Sequence, residues 1–443
     1  MKSQLVKKAF IVSLSFIILV ISAGSSLANR VSASPSTQAD TKQTLKVMYQ
    51  NKSFFDVNQF KQQFPNVEIK EVGWDGKSDL KDFISKQSPD VIMLNTHDYK
   101  QLSKQNQLAD LGQFIKRDQY DTTSIYPGLL EALKVNGKLG GLTPIFETQS
   151  IFYNADLFKK YNVPLPKDGM TWEEILKLAA KFPTGGTKDT RIWGLQYPLD
   201  KYTYLINDIA DAEGLARYNP NTLKATINTA SWKKVYRTAI TAIKSNTIEG
   251  SNVGGKNYSE DPFIMGRAAM KIDASSIDYL RRVTANKKAI ANYKPFTVKI
   301  AAGPADPKDR TTTRSLILFS IMAIPANSPN KDLAWDFIKF YNGVDYAKFM
   351  SEQPLMYSLT RMDYSKEYNG INLEAFYKLK PNLETSRYLQ PLGSPFNQIV
   401  YSNVLNREVK QVISNKKTLD KALVTIQTEV QKSLDDAVKK QKK

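Results

Sequence analysis

Apolar and polar positions alternate with period two in LKVMYQ (45–50) and again in NVEIKEV (66–72), which predicts two short strands. Between them, FFDVNQFKQQFP (54–65) carries its apolar residues at helical spacing. LKDFISKQ (80–87), PDVIMLN (89–95) and YKQLSKQNQLADLGQFI (99–115) continue the rhythm. Strand alternating with helix predicts an α/β fold with a parallel-rich sheet covered on both faces. Helix signals recur further along. Thr171 and Glu174 have capping-box spacing, and Ser328-Pro329 places a cap before a proline at a first helical position. In 231–245, Trp232, Val235, Tyr236, Ala239, Ile240 and Ile243 share one helical face. The last helix, 418–440, aligns Leu419, Leu423, Ile426 and Val430 into a stripe that should dock on a core, and the basic tail (437–443) is expected to fray.

The N-terminus departs from this pattern. Lys2, Lys7 and Lys8 precede a nearly uncharged apolar run from Ala9 to Ala23, then small residues. Together they read as an export signal over 1–28, with Ser26-Leu27-Ala28 or Val31-Ser32-Ala33 as cleavage site. The competing reading is an uncleaved anchor, for which the run is short. Residues 29–44 are rich in Ser, Thr and Gln and suit a flexible linker. No later stretch is apolar and long enough to span a membrane, so the mature chain is expected outside the cytoplasm. With no cysteine in 443 residues there is no disulfide framework, and the length favours two domains. Net charge is +19, or +16 without the three signal lysines, which favours contact with an anionic envelope surface. The lysines are dispersed and no nucleic-acid-binding motif is present, so nucleic acid is not an expected partner.

Candidate chemistry is sparse. GWDGKS (73–78) ends like a phosphate-binding loop, but two residues separate Gly73 from Gly76 where that motif needs four. His97 is the sole histidine, which excludes multi-histidine metal sites. It follows the strand of 89–95, where ligands of open α/β sheets bind and where polar loop residues are also ordinary. No cofactor is expected. The positive signal is aromatic: 22 Tyr and 5 Trp, several beside polar residues at loop positions, as in Trp74-Asp75, Trp193, Tyr197, Tyr202 and Tyr204. Such rings cover the apolar faces of sugars or peptides while nearby acids and amides bind the polar edges; core packing is the competing use for each ring. Glu147 lies among Ile145, Phe146, Ile151 and Phe152, so it is either exposed at a strand end or paired with something.

Several ordered landmarks share a pattern: TPIFETQSIFYNADLFKKYNVPLPKDGMTWEEILKLAAKF (143–182), PDVIMLN followed by NQLADLGQFI, FIMGRAAMKIDASS (263–276) and AIPANSPNKDLAWDFIKFYN (323–342). From Leu45 to about Asp436 the chain resembles the extracellular solute-binding proteins of ABC importers, in the sugar-binding branch that includes maltose-binding protein. The resemblance implies a two-lobed periplasmic-binding-protein-like fold of type II, with a ligand cleft between lobes joined by crossing segments. The lobes would be 45–146 with 300–345, and 147–299 with 346–436. It implies ligand contacts at Tyr49, Gln50 and Asn51, at Asn95, His97 and Asp98, at Glu147 on the cleft floor, at Tyr197, and around Asp273 and Ser276. The family commonly has Gly followed closely by a sugar-stacking Trp where this chain has Ala274-Ser275-Ser276; Trp74 could compensate or could pack inside the first lobe. Gram-positive members usually carry a lipid-modified cysteine, which this chain lacks, so a secreted, signal-tethered or periplasmic protein is expected.

The function implied is a non-enzymatic monomeric receptor that captures a carbohydrate or related polar solute by hinge closure and delivers it to an ABC permease. Two rivals remain: the ligand-sensing subunit of a membrane regulator, and an exported carbohydrate-active hydrolase. Arg314 is a weaker ligand candidate, its alternative being a surface arginine.

Overall fold

The computed structural model describes residues 42–49, 56–76, 78–187, 190–250, 261–274, 280–282, 285, 293–353, 357–384 and 396–441. Gln50, Asn51 and Ser276, and the signal and most of the linker, lie outside these residues. The main strands are β1 (Gln43–Tyr49), β2 (Val67–Gly73), β3 (Val91–Leu94), β4 (Gly141–Leu142), β5 (Gln149–Asn154), β6 (Trp193–Gln196), β7 (Ile248–Glu249), β8 (Ala268–Ala274), β9 (Val298–Ala302) and β10 (Ile321–Ala323). They form two five-stranded sheets, in the orders β2-β1-β3-β10-β4 and β7-β6-β8-β5-β9. In the first, β1 runs parallel to β2 and β3, while β10 is antiparallel to β3 and β4. In the second, β6 runs parallel to β7 and β8, while β5 is antiparallel to β8 and β9. The two sheets therefore share one plan: the fourth strand of each is the one by which the chain arrives from the other.

Burial explains why these segments pair. All four residues of β3 are buried, as the apolar run of 91–94 predicts for a strand covered on both faces. Phe60, Tyr99, Trp335 and Phe337 close over the first sheet, and Trp172, Ile175, Trp232, Leu423 and Ile426 over the second. The expected helical faces of 231–245 and 418–440 are the buried ones.

Two expected lobe boundaries move. β9 pairs Ile300 with Phe152 and Ala301 with Ile151, so the second sheet keeps the chain through Ala302 and the return begins after it, not at 300. Tyr346, Leu359, Phe376, Tyr377 and Leu383 are buried in the first core, so this stretch does not join the second lobe at 346. Phe396 and Tyr401 do belong to the second core. Local signals fare unevenly. The Thr171–Glu174 capping box forms in full. The helix expected to start at Ser328-Pro329 instead spans Lys331–Tyr341 with Asn330 as its cap residue, because the Ser328 hydroxyl donates to buried Asp90. The C-terminal helix runs on to Gln441 where fraying was expected.

The crossing segments meet as a short antiparallel pair. Glu147 and Ile317 exchange two backbone hydrogen bonds, 3.0 and 2.8 Å. Beside them the hydroxyls of Thr148 and Ser315 lie 3.2 Å apart.

Candidate functional site

A cavity of about 420 Å³ opens beside the crossing segments. Gln149, Arg314, Ser315 and Ile317 supply the crossing side of its wall. Tyr197 follows β6, Asp273 is the last residue but one of β8, and Tyr204, Asp208 and Asp211 come from the Tyr202–Ala212 helix. Leu205, Ile206, Ile209 and Ala210 of that helix are buried in the second core, and Thr203 and Asn207 are buried polar residues beside them; Asp208 and Asp211 stand one helical turn apart. Asp208 accepts from the Tyr197 hydroxyl at 2.5 Å and from the Gln149 amide. Asp211 takes the buried Arg217 guanidinium at 3.1 Å, and Asp273 lies 3.4 Å from Lys271. Arg314 donates to Asp306 at 2.8 Å and to Asn382 at 3.2 Å; with 11% of its side chain exposed it is not a free surface arginine. Tyr204 differs from the other rings, being 37% exposed on the cavity wall.

A wider cavity, about 1040 Å³, adjoins the first, sharing Asp211 with it. Asn382 lines it, so the Arg314–Asn382 hydrogen bond also joins the two. Its first-lobe wall is the Thr96–Lys104 helix, which contributes His97, Lys100, Gln101 and Lys104. Opposite stand Arg217 and Tyr218.

Of the ligand contacts that the resemblance implies, the structure gathers three onto these walls, Tyr197 and Asp273 on the small cavity and His97 on the wide one, and the weaker candidate Arg314 also lines the small cavity. Glu147 is half-buried on the crossing pair opposite Ile317, which lines the small cavity. Burial raises the pKa of nearby Tyr357, and the Glu147 carboxylate raises it further. Asn95 and Asp98 are occupied with each other. The Asn95 side chain accepts from the Asp98 backbone N–H at 2.9 Å and donates to its carboxylate at 2.6 Å, capping the helix that carries His97. Burial pushes the Asp98 carboxyl above its ordinary value, against the pull of His97 and Asn95. Tyr49 donates to Glu71 at 2.6 Å on the first sheet, away from both cavity walls. Trp74 is 5% exposed in the first core with its indole N–H on Ser78, so of the two roles open to it the ring takes the packing one. Asp208, Asp211 and Gln149 were not anticipated. The one available signal was the polar stripe inside LINDIADA (205–212), where a buried helix has no reason to carry two acids for packing alone. Among the described residues no group of three or more His, Asp or Glu is arranged to hold a metal ion.

Comparison with known proteins identifies the family and agrees with the two-lobed fold. The sequence pattern of the bacterial extracellular solute-binding protein family matches residues 37–348, well over half of the chain. The chain belongs to that family. It is thus a member of a family of binding proteins, with the two-lobed α/β architecture of its neighbours and an extracellular place of work. Among relatives of this solute-binding protein, the mannitol-binding protein of Pseudomonas aeruginosa is 24% identical over 309 residues, 67% of this chain and 68% of that protein. A Brucella abortus relative is 26% identical over 284 residues, and the chain spans 61% of its length. A sugar transporter from Rhizobium etli, solved in an open conformation, superposes with a TM-score of 0.63 at 23% identity, covering 87% of this chain and 98% of that one. A solute-binding protein of Agrobacterium vitis with bound D-mannitol superposes with a TM-score of 0.53 at 18% identity, covering 89% and 98%.

Proposed function

We propose that this solute-binding protein captures a carbohydrate or polyol in the small cavity and delivers it, outside the cytoplasm, to an ABC permease. The observation that carries the reading is the composition of that cavity wall. Three carboxylates, an amide, a tyrosine hydroxyl and an arginine surround a space within the roughly 300–1,000 Å³ usual for small-molecule sites. Carboxylates and amides accept from sugar hydroxyls, and hydrogen bonds to charged groups are the stronger ones, about 1.5–3 kcal/mol each. Tyr204 offers an exposed ring to the C–H face of a sugar and stands in for the tryptophan absent at Ala274-Ser275-Ser276. The mannitol named for one relative and bound in one structural neighbour, and the sugar transporter among those neighbours, support the same class.

Closure follows from the placement. Arg314 and Ser315 sit on the return segment while Gln149 and the acids sit on the second lobe, so a ligand touching both has higher affinity for the closed arrangement and selects it. The protein binds and releases; it breaks no bond. Lacking cysteine, it has no residue for lipid modification, and it is held by its signal segment or its basic surface, or is released. The test is a thermal-shift screen of the purified protein against D-mannitol, neutral mono- and oligosaccharides and, as a contrast class, oligopeptides, followed by calorimetry on each hit. A bound sugar or polyol raises apparent stability by mass action, and Asp208→Ala abolishes the shift. A panel in which only peptides stabilise the protein refutes the carbohydrate reading. Product formed from a stabilising oligosaccharide would make it a hydrolase.

A further inference from the structure

The charged groups of the small cavity wall are three carboxylates and Arg314, whereas the adjoining wide cavity has a basic face on its first-lobe side. His97, Lys100 and Lys104 occupy one face of the Thr96–Lys104 helix, at spacings of three and four residues. Lys100 and Lys104 are like charges one turn apart and repel. The Lys100 ammonium is half-buried and donates to a neutral acceptor, the Leu383 carbonyl, at 2.6 Å. Burial lowers its pKa, Lys104 lowers it further, and Glu384 opposes both. His97 Nε2 is buried without a hydrogen-bond partner among the described residues. Three acids line the cavity: Glu131 is engaged by Lys134 at 2.5 Å, Asp211 by Arg217 on the second-lobe side, and Glu384 attracts Lys100 without an ion pair to it among the described residues. A partly desolvated cation beside a second cation, next to an unsatisfied imidazole nitrogen, is an arrangement that an incoming anion relieves.

We propose that the wide cavity is a subsite for the carboxylate of an acidic oligosaccharide, held by Lys100, Lys104 and the His97 imidazole, with the sugar chain running past Asp211 into the small cavity. The proposal rests on the saccharide-receptor reading and adds the class of sugar. D-Mannitol and other neutral ligands fill only the small cavity, whereas an oligosaccharide ending in one uronate spans both.

The experiment is calorimetric titration of the full chain with neutral maltotriose and with its mono-uronate, the same trisaccharide with one terminal glucose replaced by glucuronate, at low and high salt. The mono-uronate is expected to bind at least about tenfold more tightly, the worth of one charge-assisted hydrogen bond, with the advantage shrinking in salt. Lys100→Gln and Lys104→Gln should each bring the ratio of the two affinities toward one. Lys104 is exposed, so its variant keeps the fold, and unliganded melting confirms this for both. Equal affinities in the parent protein, or a ratio that survives both substitutions, overturn the subsite. A neutral sugar or polyol that binds while the mono-uronate does not overturns the subsite and leaves the receptor standing. No binding across this pair and the earlier panel overturns both.

Discussion

Trp74 and Tyr204 are both aromatic residues flanked by polar ones, yet they do opposite things. Trp74 is core, so Trp74→Ala should cost about 3–5 kcal/mol in denaturant unfolding while the folded fraction binds its solute as before. Tyr204 is a cavity ring, and Tyr204→Ala should leave the melting temperature of the unliganded protein nearly unchanged but weaken saccharide affinity about three- to tenfold, the usual worth of an aromatic face. Sequence could not separate the two, because burial is decided by chain segments far from either ring. Phe60, Phe337 and Tyr341 assemble the first core from opposite ends of the chain. The same holds for Arg314, for which the sequence leaves a ligand contact and a surface position both open. Its true partners, Asp306 and Asn382, are brought to it by the return segment and by residues near 380.

At the scale of elements, local signals were legible where local chemistry closes on itself. The capping box at Thr171 and Glu174 forms as spaced, and Arg310 adds a two-pronged bond to the same Glu174 at 2.8 and 2.6 Å. Ser328 failed as a cap signal because a buried acid 238 residues away competes for its hydroxyl. β6 crosses the end of the Trp172–Ala179 helix so closely that a Cβ on Gly194 would lie 2.0 Å from the Ala179 carbonyl oxygen. Gly194→Ala therefore forces strand and helix apart and should cost about 1–3 kcal/mol or more in denaturant titration. Helix pairing in the second lobe carries a pH signature. Burial pushes the Glu408 carboxyl up, but Lys417 and Arg407 outweigh it and hold it below its ordinary 4.5. A folded value below the unfolded one means that the stabilisation is present above about pH 4.5 and is lost as acidification passes through the lower folded value. Melting curves from pH 7 downward should show the parent protein losing its advantage over Glu408→Gln across that window; a constant gap would mean that the pair contributes nothing through charge.

Across the whole molecule, the strand and helix rhythm and the family's landmarks gave the two-lobed architecture but misplaced where the chain changes lobes. Strand alternation shows that 298–302 is extended; it does not show which sheet has a vacant edge. Closure is the global prediction. Small-angle scattering should give a smaller radius of gyration when a saccharide that binds by calorimetry is added, and an unchanged profile would sink the hinge mechanism. The shared plan of the two sheets has one more consequence. β10 lies between β3 and β4, so the first sheet stays divided until residue 323 has been made, long after the rest of its strands. A nascent chain unable to finish its first domain stays threadable, and so suits passage through a narrow translocation channel, with its final pairing left for the far side of the membrane.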